Sequence, residues 1–165
     1  VNEPQPSPPD LQRIKVARRV NALLNQFVGV LDTKASIFLA GNVAAASFLL
    51  KEMPPNWWCR IIYFSAISAY AASVVMAGAT IFPRRPKTGT SVLFWGDIAE
   101  HKSATDYTEH FDKVLVSGCL DEQYLAQNFL TAKLLRRKYK CLRFCIILFF
   151  VGLFTSFTVF LSSVK

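Results

Sequence analysis

Ile61 to Phe82 and Phe144 to Val164 each run without a single charged residue. A helix advances by about 1.5 Å per residue, so about 20 mainly apolar residues cross the hydrocarbon core of a bilayer. Both stretches reach that length and both are bounded by cations, Arg60 and Pro83-Arg84-Arg85 around the first, Arg143 and Lys165 around the second. A third segment, Ala35 to Leu50, is apolar but short, so its helix must extend towards Phe27 or Met53 to cross. Extension towards the N-terminus brings Asp32 and Lys34 to the membrane edge. Hydrophobic residues make up 52% of the 165, and a water-soluble domain does not gather them into runs of this kind. The fold class that follows is all-α and integral to a membrane: three transmembrane helices with long helical cytoplasmic extensions and a small cytoplasmic loop region.

Orientation follows from Lys and Arg, which accumulate in cytoplasmic loops. Arg13, Lys15, Arg18 and Arg19 precede the first span. Arg84, Arg85, Lys87, Lys102, Lys113, Lys133, Arg136, Arg137, Lys138, Lys140 and Arg143 lie between the second and third, while the connector from Lys51 to Arg60 holds only those two. The N-terminus and loop 83–143 are therefore expected in the cytoplasm and the C-terminus outside. Trp57 and Trp58 suit the outer headgroup layer. Lys51-Glu52-Met53-Pro54-Pro55 is no small-residue cleavage site, so the first span reads as an anchor.

Along the chain, residues 1–10 read as a disordered Pro-rich tail, with Asp10 as an N-cap. Residues 11–53 read as an amphipathic helix continuing into the first transmembrane helix, its apolar positions being Leu11, Ile14, Ala17, Val20, Leu24, Phe27, Val28 and Leu31. Residues 54–60 form an outer connector and 61–82 the second transmembrane helix. In the cytoplasmic loop region, 83–120, Ser91 to Trp95 reads as strand-like or extended. A helix follows around Asp106 to Val116, with Tyr107, Phe111, Val114 and Leu115 on its apolar face. Ser117-Gly118 breaks it. Residues 121–164 form a stalk helix, with Asp121 and Glu122 at its positive end and Leu125, Phe129, Ala132 and Leu135 on one side, continuing into the third transmembrane helix.

Ionisable groups at a membrane edge face protein, water or ligand. Asp32 and Lys34 point about 200° apart on one helix and cannot pair with each other. The partners expected for Asp32 are Arg84, Arg85 or Arg143, as a register-fixing salt bridge or as part of a ligand site. A nucleotide-like ligand requires a cation for phosphate and an aromatic plate for its base. Lys34, Arg84 and Arg85 supply the first and Phe94, Trp95 and Tyr107 the second, although paired arginines after a span also serve as topology signals and Phe94-Trp95 also serves as core. In the second span Ser65, Ala69, Ser73 and Ala77 recur every fourth residue, a pattern that lets helices approach closely, within one subunit or between subunits. Ser36, Asn42 and Ser47 are the polar groups of the first span, expected to bond a neighbouring helix, the alternative being that they line a pore. Asp32, Asn42 and Arg143 are candidates for interhelical or gating contacts.

Cys59, Cys119, Cys141 and Cys145 form neither a CxxC pair nor a disulfide framework, and Cys141 and Cys145 read as packing residues. His101 and His110 lack metal-ligand spacing. No acid, base and nucleophile occur together, so neither catalysis, metal nor cofactor is expected.

Asp32-Thr33-Lys34-Ala35-Ser36 enters the first span, Val92-Leu93-Phe94-Trp95-Gly96-Asp97-Ile98-Ala99 lies in the loop, and Lys138-Tyr139-Lys140-Cys141-Leu142-Arg143 precedes the last span. In these motifs, their order and the placement of the spans, the chain resembles the transmembrane effectors of Pycsar antiphage systems from about Asn25 to Leu161. The resemblance implies a bacterial inner-membrane protein that senses cyclic CMP or cyclic UMP, made by a companion cyclase, and then compromises the membrane. Some relatives carry a further soluble domain; here sensing is expected in the loop and stalk. Expected partners are the lipid bilayer, the cyclic pyrimidine nucleotide and further copies of the chain, with no nucleic acid polymer. A different reading makes it an accessory or structural membrane protein whose basic loop binds a protein partner or anionic lipid. A cyclase gene next door would favour the first reading and a transport operon the second.

Overall fold

The computed structural model describes residues 8–50, 53, 54, 56–82 and 91–163. Among these there is no strand, and the elements are α1 (Pro8–Leu49), α2 (Trp57–Ile81), α3 (Trp95–Ile98), α4 (Ala104–Val116) and α5 (Leu120–Ser163). Three of them, α1, α2 and α5, are long and apolar enough to cross a membrane, which bears out the all-α reading. Helix α1 begins at Pro8, not at an Asp10 cap; proline suits a first turn because the amide it lacks would have no helical partner there. The 91–94 run forms no strand and leads directly into the single turn of α3. Gly118 ends the turn between α4 and α5 at φ 70°, in the left-handed region open to glycine.

The chain packs as two units. In the first, residues 1–27 and 84–135, α1 and α5 run in the same direction: Arg13 pairs with Asp121 at 3.1 Å, and Asn21 donates to Asn128, 107 residues away, at 3.0 Å. Asn128 in turn donates to the Ala17 carbonyl at 2.9 Å. The second unit, residues 28–83 and 136–165, again holds α1 and α5 parallel, through Asp32 and Lys138, 106 residues apart. There α2 is antiparallel to α5: Ser73 donates to the Cys145 carbonyl at 2.8 Å, Tyr70 and Ser156 hydroxyls lie 3.1 Å apart, and Cys59 and Ser162 lie 3.3 Å apart.

Packed positions follow a 3.5-residue period. On α5 they are 128, 131, 135, 138, 142, 145, 149, 152, 156 and 159; on α1 they are 14, 17, 21, 24, 28, 31, 35, 38, 42, 45 and 49; on α2 they are 63, 66, 70, 73, 77 and 80. Three and four residues alternate, as in helices packed knobs-into-holes along their length. Small and polar residues share these positions with large apolar ones: on α5 Asn128, Thr131, Lys138, Cys145 and Gly152 alternate with Leu135, Leu142, Phe149 and Val159, whereas Leu125, Phe129 and Ala132 are exposed. Of the four residues placed on one side of the stalk from sequence, Leu135 lies in the packed register and Leu125, Phe129 and Ala132 do not. Lipid is as apolar as leucine, so helices in a membrane associate through close approach and hydrogen bonds, and the hydrophobic stripe is not the seam. A Cβ at Gly152 would lie 2.7 Å from the Tyr70 ring, so glycine is what admits α2 to this distance.

Candidate functional site

The loop motif builds a small scaffold in the first unit. Val92 is buried, and its amide donates to Gln123 Oε1 on α5 at 3.0 Å. Its carbonyl accepts from the Tyr107 hydroxyl on α4 at 3.0 Å. The Asp97 carboxylate accepts from the Ser91 amide at 3.1 Å, and a Cβ at Gly96 would meet the Phe94 ring at 2.6 Å. Three motif residues thus have local work: Gly96 makes room for Phe94, Asp97 holds the start of the run, and Val92 ties it to α4 and α5. Tyr107 also meets the edge of His101, with ring centroids 5.5 Å apart, and lies 6.1 Å from Phe111.

Beside Tyr107, the start of α4 is organised by charge. Ser103 caps the helix by accepting from the Asp106 amide at 3.1 Å, as Ser does at an N-cap. Asp106 accepts from the Lys102 amide at 3.2 Å and contacts His101 Nδ1 at 3.1 Å. The His101 hydrogen bond, followed by that from Lys102, holds the Asp106 carboxyl below the usual carboxylate range. The His110 ring lies 5.4 Å from that of His101, tilted by 41°. Among the described residues no group of three His, Cys, Asp or Glu has the arrangement of a metal site.

In the second unit the charged centre is the pair Asp32 and Lys138. Lys138 is 2% exposed and Asp32 35%, so the ammonium is withdrawn from water while the carboxylate keeps some access to it. The expected partners were Arg84, Arg85 or Arg143. Arg143 is exposed instead, because five residues beyond Lys138 a helix has turned its side chain about 140° from the seam; Arg84 and Arg85 lie outside the described residues. Lys34 is exposed on the other side of α1 from Asp32, as two-residue spacing requires.

Asn42 is fully buried. Its amide donates to its own helix at the Phe38 carbonyl at 2.6 Å, and its Oδ1 is buried with no partner among the described residues. Ser36 and Ser47 likewise bond back to the Asp32 and Val43 carbonyls, so none of the three bonds a neighbouring helix as anticipated; short hydroxyl and amide side chains compete locally for the carbonyl one turn behind. Ala69, Ser73 and Ala77 are buried in α2, whereas Ser65 is exposed, and Ser73 is used within the chain against α5.

Of the residues assigned to ligand from sequence, Phe94 and Tyr107 belong to the first unit and are half-buried, and Lys34 belongs to the second. Trp95 opens α3, and its side chain lies outside the described residues together with Arg84 and Arg85. Sequence reasoning missed Gln123, Asn21, Asn128 and Lys138 as contact residues. Their signal was position: the last two share the 3.5-residue register of Leu142 and Cys145.

The model of one protein family, described as the Pycsar effector protein domain, matches residues 16–164 of the chain. No curated protein and no solved structure matches it.

Proposed function

Because the chain belongs to the Pycsar effector protein domain family, and is thus a membrane-spanning antiphage effector, we propose that a cyclic pyrimidine mononucleotide, cyclic CMP or cyclic UMP, switches it on. In this reading it is a homo-oligomer of the bacterial inner membrane with its N-terminus and basic loop in the cytoplasm, and its activation compromises that membrane so that the infected cell stops growing. The excess of Lys and Arg before the first span and between the second and third supports the orientation. The protein acts by binding and rearrangement, not by catalysis.

The observation that carries the reading is that α1 and α5 are each one unbroken helix with residues in both units. A ligand shifts an equilibrium only by binding one arrangement better than another. A ligand that favours one placement of the loop acts, through Gln123 and the Val92 amide, on the helix that also carries Lys138 and the last span. Arg84 and Arg85 meet the single phosphate charge, and Phe94, Trp95 or Tyr107 stacks on the base. Asp32, with Lys138, and Asn42 are the gating contacts, and Arg143 flanks them.

The test is membrane potential in cells expressing the chain, before and after induction of a cyclase making cyclic CMP or cyclic UMP, with cyclic AMP as control. Depolarisation with a pyrimidine product only, lost in Arg84→Ala/Arg85→Ala protein that still inserts, is the expected result. No change with any nucleotide would leave the basic loop as a docking surface for a protein or anionic lipid.

A further inference from the structure

On α1 the exposed residues Val16, Val20, Leu23 and Phe27 each stand one position before a packed residue (17, 21, 24 and 28). On α5 the exposed Leu125 and Phe129 each stand one position after a packed one (124 and 128). One residue turns a helix by about 100°. Opposite senses on two parallel helices put both stripes on the same side of the pair. The first unit therefore presents a single apolar face made of two helices, with Phe27 59% and Phe129 61% exposed.

This face is not explained by lipid. Counting back about 20 residues from Leu49 fills the hydrocarbon by Val30, so Val16 to Phe27 precede the span. A helix that runs on unbroken into the bilayer does not lie flat on its surface. Contiguous apolar faces of this kind in water mark an interaction surface.

We infer that the α1/α5 face of the first unit is covered by a second copy of this chain, packed in parallel about a two-fold axis so that α1 of each copy lies against α5 of the other. The stripe has the 3.5-residue spacing by which α1 already packs on α5, so a helix of the same pitch is its natural complement. Copies inserted in one bilayer are parallel and present their stripes at the same height. The two-fold also matches charge. Arg13 ends the stripe on α1 and the exposed Glu122 ends it on α5, and with α1 and α5 partners 107 residues apart the two lie within one turn of the same height. The arrangement thus brings Arg13, which already pairs with Asp121 of its own chain at 3.1 Å, to Glu122 of the other copy as well.

The second unit, taken by itself, repeats the pattern. The same offsets, before the seam on α1 and after it on α5, place Ala44, Phe48, Phe150, Leu153, Phe157 and Phe160 along an open apolar groove of about 1040 Å³. Tyr70 of α2 closes one edge of this groove, and among the described residues nothing else lies over it. Lys34, Arg136 and Arg143 hold the same offsets at the start of the second unit. Like charges meeting there oppose association, so anions that neutralise them tighten it.

This deepens the homo-oligomer proposed above and rests on that part of the reading alone, not on ligand gating. The test uses two differently tagged full-length chains, their native cysteines replaced by serine, co-expressed in membranes with Leu23→Cys in one and Phe129→Cys in the other. Oxidation should give a disulfide-linked dimer carrying both tags. Arg18→Cys, one position after the seam on α1 and hence on the opposite side, should give none with Phe129→Cys. Absence of the 23–129 product, or equal yield from the 18–129 pair, would overturn the proposal. Leu23→Glu should lower the dimer fraction by about tenfold or more with helix content unchanged, because a carboxylate is driven into an apolar seam. Glu122→Arg, which leaves the Arg13 and Asp121 pair within each chain intact, should weaken association. Cross-linking without nucleotide-dependent depolarisation would sink gating and leave this interface standing; the reverse would sink the interface alone.

Discussion

The two halves of the α1/α5 pair solve the same packing problem in different chemistry. In the first unit the seam is held by amides, Asn25 donating to Asn21, Asn21 to Asn128 and Asn128 to the Ala17 carbonyl, and the ion pair there, Arg13 with Asp121, has an exposed arginine. In the second it is held by the Asp32 and Lys138 ion pair, with small residues such as Ala35 buried beside it. Neutral amides in water exchange hydrogen bonds with solvent at small net gain. A charge withdrawn from water has no such exchange, so its partner is obligatory. The difference teaches where the pair is adjustable and where it is not: the amide seam tolerates rearrangement, the ion pair resists it.

The largest effect should therefore come from Asp32→Ala, which leaves the Lys138 ammonium buried and alone and should cost about 3–5 kcal/mol, seen as loss of the thermal unfolding transition in detergent. Asp32→Leu/Lys138→Leu should recover most of it. If the single and double variants are equally unstable, the ion pair is not what distinguishes the second seam. Asn128→Ala in the first unit should cost less, about 1–3 kcal/mol, by denaturant titration. A cost equal to that of Asp32→Ala would erase the contrast between the units.

Two smaller effects sharpen it. Ser73→Ala removes the α2 to α5 bond at the Cys145 carbonyl and should cost about 0.6 kcal/mol, the size typical of such bonds in membranes. The smallest concerns Asp106. Its carboxyl is held low in the folded chain, so its contribution is fully present above the ordinary carboxylate range and lost as pH falls through the lowered value. Amide exchange in the first turn of α4 should accelerate only below that range, and in Asp106→Asn protein it should be fast throughout. Unchanged exchange in that variant would show that Ser103 alone holds the cap.

Much of the architecture was legible. Uncharged runs long enough for a bilayer marked the spans, Ser117-Gly118 marked the break before α5, and the Asp32 and Lys34 spacing forbade their pairing. The hidden part was orientation about each helix axis. Hydrophobic periodicity put Leu125, Phe129, Ala132 and Leu135 on one side of the stalk; of these only Leu135 shares the packed register, beside the buried Asn128 and Thr131. Arg143 was chosen for Asp32 because it borders a span, while Lys138 was one cation among many in a basic loop. Only its register with Leu142 and Cys145 separates it from its neighbours.

The sequence by itself determined that the chain is helical, crosses a membrane and carries the order of motifs of its family, because length, charge and local turn chemistry act on the chain where they stand. Which face of α1 and α5 turns inward, which cation meets Asp32, and why Gly96 and Gly152 must be glycine were decided only by tertiary structure. Those choices depend on what lies opposite, and opposite a lipid-facing or helix-facing residue the apolar preference is nearly the same, so hydropathy cannot choose between them.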